Sequence, residues 1–353
     1  METVVDDLKI KKNEVLDNPV GLNGMEFIEY SAKDAEFMEK LFGLFQFKKI
    51  GTHRTKNIDL YRQNDVHFIL NLEKNSFADS FQNAHGLSIC ATGFRVLDAE
   101  HAFETAVARG ARPYEGEGHS FKAIYGIGDS LIYFIDKKGE DKIYKHDFEL
   151  IDDPTNEGCG LTGVDHMTNN VPAGDMKKWC DFYESIFNFK EVRFFDIKGL
   201  ETGLVSKVMM SPCRKIIVPI NEPTDKKSQI QEYLDEYQGS GIQHLAMKTT
   251  DICKTVAALR ENGVDFLDVP DTYYENLFDR VPGVTEDIND LRKLKVLVDG
   301  DSSAYLLQIF TKNLIGPIFF EIIQRKGHKG FGEGNFQALF EAIEEDQRRR
   351  GYL

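Results

Sequence analysis

The chain repeats itself, and this limits what it can fold into more than any local feature does. "SAKDAEFMEKLFGLFQFKKI" (31–50) shares with "PAGDMKKWCDFYESIFNFKEV" (172–192) an Asp, a helix-period pattern and a closing LFQF or IFNF that leads into a strand. "LDAEHAFETAVARGARPYE" (97–115) and "TDICKTVAALRENGVDFLD" (250–268) echo each other in the same way, as do "LIYFIDKKG" (131–139) and "FFEIIQRKG" (319–327). In the middle echo, Asp98 and Asp251 are natural N-caps and Gly110 and Gly263 natural residues just past a helix end. Between them the apolar residues recur at helical spacing, as in Ile252, Val256 and Leu259. Short β-type runs such as "GMEFIEY", "VHFILN", "KIIVPI" and "KVLVDG" surround these helices. The expectation is an α+β chain of tandem βαβββ modules, with a C-terminal helix after the last strand.

The separation between echoes grows along the chain, so the second half carries extra residues, most of them within 269–303. Extra loops on one copy of a duplicated scaffold are where function is commonly added, with neutral insertion as the alternative. Asp, Pro, Asn and Gly cluster in "DDPTNEGCG" (152–160), which places a domain boundary there and divides the chain into 1–155 and 156–353. A length of 353 residues suits two domains.

Composition removes several function classes. No stretch approaches the roughly 18 apolar residues of a membrane span, and "METVVDDLKIKKNEVLDNPV" has neither an apolar core nor a small-residue cleavage site, so a cytoplasmic location is expected. The net charge of −15, with no basic run beyond the terminal "QRRR", argues against a nucleic-acid partner. Cys90, Cys159, Cys180, Cys213 and Cys253 are odd in number and lack ligand spacing, which argues against a disulfide framework or a thiolate metal site.

Within "PIFFEIIQRKG" (317–327), Glu321 interrupts an apolar strand. A buried carboxylate is costly unless paired, so Glu321 should have a partner. Aligning the two halves supplies one. His166 of "TGVDHMTNN" falls opposite Phe27 of "NGMEFIEY", His244 of "GIQHLAMKT" falls opposite Ile89 to Ala91, and Glu321 falls opposite Tyr133. All three positions are polar in the second half and apolar or aromatic in the first. A metal ion shared by His166, His244 and Glu321 would account for all three. Two imidazoles and one carboxylate are the usual protein ligands of a non-haem Fe(II) oxygenase, and the same set can hold a catalytic zinc for hydrolysis. A histidine of this kind taken alone is more often a hydrogen-bonded strand residue than a ligand, and Glu321 alone reads as an edge-strand residue facing water; the conjunction of all three in one half is what points to a metal. The other seven (His53, His67, His85, His101, His119, His146, His328) show no comparable pattern.

At these residues the sequence resembles the bacterial 4-hydroxyphenylpyruvate dioxygenase family of the vicinal oxygen chelate superfamily. The motifs that carry the resemblance include "VDHMTNNV", "RFFDIKG", "VPINEP", "GIQHLAM", "PDTYYENL", "FFEIIQRKG" and "GFGEGNF". The resemblance implies two open barrel-like, glyoxalase-type domains, of which only the second binds metal, with His166, His244 and Glu321 as ligands of Fe(II). It implies a reaction in which 4-hydroxyphenylpyruvate and O2 yield homogentisate by decarboxylation, ring hydroxylation and side-chain migration, a step of tyrosine and phenylalanine catabolism. It also implies a homo-oligomer, dimer or tetramer.

Ser206, Asn221, Gln229, Gln243 and Gln308 match the family's polar pocket, where neutral amides can hydrogen-bond a phenol or carboxylate without adding charge. Phe310, Phe319, Phe336 and Phe340 match its aromatic walls, although core packing is their default reading. Gln243 precedes His244, so in a regular strand the two side chains would face opposite ways. The glycine-rich "KGHKGFGEGNF" lacks a phosphate-cradle pattern and reads as a hinge before a C-terminal helical lid, with Asn335 at its start as a further substrate-binding residue. A tail helix that merely caps the domain is the alternative.

Two other readings stay open. A 4-hydroxymandelate synthase uses the same substrate and metal but hydroxylates the benzylic carbon. Such relatives tend to lose the Asn of "PINEP" and the Phe of "GNF", whereas Asn221 and Phe336 are both present here. A metal-free small-molecule-binding member of the superfamily is the non-catalytic alternative. Extradiol ring cleavage would want acid/base histidines near the metal, and no candidate is apparent.

Overall fold

The computed structural model describes residues 15–116, 121–151, 155–198, 202–336, 343–344 and 347–352. The first half contributes strands β1 (Leu22–Ser31), β2 (Lys48–His53), β3 (Ile58–Gln63), β4 (Val66–Asn71), β5 (Ser88–Val96), β6 (Ala123–Tyr125), β7 (Leu131–Ile135) and β8 (Phe148–Leu150). The second contributes β9 (Leu161–Asn170), β10 (Lys190–Lys198), β11 (Gly203–Met210), β12 (Ile217–Pro223), β13 (Gly241–Thr249), β14 (Leu297–Gly300), β15 (Tyr305–Phe310) and β16 (Phe319–Lys326).

Each half forms one eight-stranded sheet, ordered β6-β7-β5-β1-β4-β3-β2-β8 and β10-β11-β12-β9-β13-β16-β15-β14. Read in opposite directions, the two orders superpose strand for strand except at the edges, where β8 is extra in the first sheet and β14 in the second. In both halves the central pair is antiparallel (β1 with β5, β9 with β13) and is flanked by parallel pairs, β1 with β4 and β5 with β7, β9 with β12 and β13 with β16. This is the expected tandem βαβββ, open-barrel α+β architecture.

The helix ends follow the capping chemistry. Asp98 accepts from the His101 amide at 2.9 Å and Asp251 from the Lys254 amide at 3.0 Å. Gly110 and Gly263 follow the two helix ends with φ of 103° and 94°. Ile252, Val256 and Leu259 face the core and are fully buried.

One hydrophobic core runs through both halves. Its keystone is Phe320 of β16, whose ring meets Phe45 edge-on at 5.1 Å and lies 6.4 Å from Phe68, both first-half residues. Polar ties run alongside it. The Gln63 side chain donates to the Phe45 carbonyl and accepts from the Leu161 amide, while Asn262 donates to the Leu44 carbonyl. Side chains alternate along a strand, so Phe320 faces the first half while Phe319 and Glu321 face the concavity of the second sheet. Among the described residues no helix is long and apolar enough to cross a membrane.

Candidate metal centre

The ladders fix the correspondence between halves independently of the sequence alignment. Phe27 pairs with Gly93 and Gly93 with Tyr133, as His166 pairs with Ala246 and Ala246 with Glu321. By the same registers Ala91 takes the place of His244, since it pairs with Glu29 as His244 pairs with Thr168.

In the second half three donor atoms converge, all within 4.8 Å of one another. His166 Nε2 lies 3.3 Å and His244 Nε2 3.6 Å from Glu321 Oε2. His166 and Glu321 are 5% and 3% exposed. In the first half the equivalent space is filled by Phe27, whose ring presses on Gly93 so closely that a Cβ there would lie 2.6 Å from it.

Both imidazoles are oriented through their far nitrogen. His166 Nδ1 donates to Asp165 Oδ1 at 2.9 Å, and His244 Nδ1 donates to Gln243 Oε1 at 3.0 Å, which leaves each Nε2 turned toward Glu321. Gln243 reaches the cavity because β13 is not regular. Ile242 pairs with Asn169 and His244 with Thr168, so Gln243 is the extra residue of a β-bulge and lies on the same side as His244 rather than opposite it.

Charge is balanced locally. Burial alone would raise the Asp165 carboxyl, but hydrogen bonds from Arg325 (2.9 and 2.7 Å) and His166 hold it well below the usual carboxylate range. Burial opposes the His166 imidazolium, yet the Glu321 and Asp165 carboxylates override it and lift His166 to about 9. His244 is pushed down by burial and by its charged neighbour. Two oriented nitrogens and one buried carboxylate oxygen fit a divalent metal.

The cavity above the three ligands is lined by all five polar residues expected there, Ser206, Asn221, Gln229, Gln243 and Gln308, and by Phe310, Phe319 and Phe336. Phe319 stacks on His244 at 4.8 Å, and Phe336 meets Phe195 edge-on at 5.0 Å. The Gln308 side-chain oxygen is buried and has no hydrogen-bond partner among the described residues, which suits it to a ligand donor. Phe340 lies outside the described residues. Asn335 does not line the cavity: it is fully buried behind the loop, where its side-chain oxygen accepts from Tyr273 Oη at 2.5 Å.

Thr168, Phe195 and Phe331 also line the cavity and escaped the sequence reading. Thr168 bonds His244 Nε2 at 3.0 Å, and its place two positions after His166 on β9 was the available signal. The second-half insertion supports the site from outside. Tyr273 holds Asn335, and Asp299 sits where a Cβ on Gly334 would meet it at 2.2 Å. Of the expected lid helix, residues 343–344 and 347–350 are helical, and Ile343 borders the cavity.

Comparison with known proteins adds a family. Residues 16–149 match the profile described as Hydroxyphenylpyruvate dioxygenase, HPPD, N-terminal, and residues 163–287 match that of the Glyoxalase/Bleomycin resistance protein/Dioxygenase superfamily. The chain is 52% identical to Protein MelA of Shewanella colwelliana, over 95% of this chain and 99% of the relative. It is 49% identical to a 4-hydroxyphenylpyruvate dioxygenase of Legionella pneumophila (strain Corby), over 95% and 98%. A mutant 4-hydroxymandelate synthase from Streptomyces coelicolor superposes with a TM-score of 0.81 at 26% identity, over 92% of this chain and 99% of that one.

Proposed function

The chain belongs to the 4-hydroxyphenylpyruvate dioxygenase family, and we propose that it converts 4-hydroxyphenylpyruvate and O2 to homogentisate and CO2 at an Fe(II) held by His166, His244 and Glu321. The observation that carries the reading is the convergence of these three donors in one half only, beneath a cavity with aromatic walls and amide corners. Bound Fe(II) supplies the O2 chemistry. The protein's own groups bind, orient and exclude water.

Phe310, Phe319 and Phe336 offer faces and edges to the substrate ring. Ser206, Asn221, Gln229, Gln243 and Gln308 are neutral, so they can direct the phenol and the oxo-carboxylate without competing with the metal for the anionic end. The orphaned Gln308 oxygen suits a phenolic O–H donor. Phe331 and Phe336 of the loop, with Ile343 beyond it, border the cavity, where they would help to exclude water from a bound substrate.

We divide the labour accordingly between a metal-free domain, 1–155, and a catalytic domain, 156–353. All five cysteines are free, which supports a reducing, cytoplasmic compartment. Assembly as a dimer or tetramer follows the family resemblance. Homogentisate is favoured over 4-hydroxymandelate because Asn221 and Phe336 are both present and both line the cavity.

The test is anaerobic loading with Fe(II), addition of 4-hydroxyphenylpyruvate and then O2, with oxygen uptake followed and the product identified by chromatography. Homogentisate is the expected product. Hydroxymandelate would move the chemistry to the synthase, and no oxygen uptake by folded, iron-loaded protein would leave a binding module.

A further inference from the structure

Arg325 lies on β16, on the same face as Glu321 and four positions after it, and its guanidinium connects two parts of the site. On one side it grips Asp165 through Nε to Oδ2 at 2.9 Å and Nη2 to Oδ1 at 2.7 Å. That carboxylate also takes the Nδ1 proton of His166 at 2.9 Å. On the other side Arg325 Nη1 donates to the carbonyls of His328 and Gly330, at 3.3 and 2.5 Å, so the chain after β16 wraps around the guanidinium. The same guanidinium sits 5.5 Å from the Phe331 ring centre, and Phe331 in turn meets the His166 ring edge-on at 5.7 Å. The contacts form a closed circuit: His166, Asp165, Arg325, the 328–331 loop, Phe331 and back to His166.

The first half shows what the same scaffold does without a metal. Glu26 occupies the Asp165 position and is equally buried, but its partners are Arg95, on the strand equivalent to β13, and Tyr144. No histidine follows it, since the next residue is Phe27. Lys137 stands at the Arg325 position, because Ile135 pairs with Arg95 as Ile323 pairs with Lys248. Its side chain is 80% exposed and bonds Glu140 in its own helix. A buried acid before the ligand position is thus common to both halves. Its capture by an arginine that also holds the following loop belongs to the metal-binding half alone.

Resting on the reading of His166 as a metal ligand, we propose that Asp165 and Arg325 are a positioning pair. They couple the orientation of His166 to the seating of the 328–331 loop, so that metal binding and closure of the cavity reinforce each other. A planar, forked guanidinium can serve the carboxylate and the loop carbonyls together, which a lysine ammonium cannot. Neither residue touches the metal position.

The experiment uses Co(II) as the probe and two readouts other than turnover: anaerobic Co(II) titration, and amide hydrogen exchange across 327–336. In the intact chain Co(II) should slow exchange at Gly330 and Phe331. Arg325→Lys and Asp165→Asn should each weaken Co(II) roughly 10- to 100-fold. Asp165→Asn should also speed exchange in the loop, although Asp165 bonds nothing there. Unchanged loop exchange on Co(II) addition to the intact chain would overturn the coupling without any variant, so a variant that fails to fold does not end the test. Variants that loosen the loop but bind Co(II) as tightly as the intact chain would also overturn it. If instead the intact chain binds Co(II) no better than His244→Ala, the metal-site reading itself has failed.

Discussion

Phe320→Ala separates the architecture from the chemistry on a single strand. Phe320 is fully buried and plugs an aromatic cluster of the first half: Phe45 at 5.1 Å and Phe68 at 6.4 Å, with Phe68 itself stacked on Phe47 at 4.2 Å. Truncating a buried phenylalanine costs about 3–5 kcal/mol, through lost transfer energy and the cavity left behind. The site cannot collapse easily, since β16 is held by β13 on one side and β15 on the other, so the upper half of that range, about 4–5 kcal/mol, is expected. Against the ~5–15 kcal/mol of a typical fold this is a large fraction. The assay is guanidinium unfolding of the metal-free protein followed by circular dichroism and by the single tryptophan, Trp179, which reports on the second half. With the shared core weakened, the two signals should separate as the halves lose their common transition. Phe319→Ala is the control, because Phe319 faces His244 and the cavity; it should cost less stability and more substrate affinity. A loss below ~1 kcal/mol at Phe320, or an equal loss at both positions, would refute the shared-core reasoning.

Burial, with Arg62 nearby, pushes the His67 imidazole down to about 4, so the unfolded chain takes up this proton first as pH falls through ~6.5. Stability is therefore lost below that pH, by about 2 kcal/mol at pH 5, and urea midpoints of His67→Asn against the parent should show this component removed. Equal pH slopes for the two proteins would contradict it. At Gly332 (φ 82°) a Cβ would stand 2.0 Å from the Gln308 side-chain oxygen, so Gly332→Ala must displace the loop or the amide. A fall in kcat/KM of roughly 100-fold is expected, with metal affinity retained. Parent-like kinetics would show that Gln308 does not need this packing.

The duplication made much of this readable in advance. His166, His244 and Glu321 could be singled out because each is polar where its twin, Phe27, Ala91 or Tyr133, is not. Asp98 and Asp251 announced their helices through local cap chemistry that needs no tertiary context. What stayed hidden depends on long-range geometry. Gln243 was expected to face away from His244, and a bulge, invisible to a period-2 pattern, turns it inward. Asn335 reads as a cavity residue, yet the insertion that brings Tyr273 beneath it draws it to the back of the loop. Asp165 and Arg325 look like ordinary charged strand residues, because only the fold brings positions so far apart in sequence into one buried ion pair.

Whether His166, His244 and Glu321 hold the catalytic iron is tested most directly by iron-edge anomalous diffraction from crystals loaded anaerobically with Fe(II). One anomalous peak among the three side chains of each chain, with none between Phe27, Ala91 and Tyr133, is the predicted result. A peak elsewhere, or an empty second-half centre in protein that still turns 4-hydroxyphenylpyruvate into homogentisate, would contradict it.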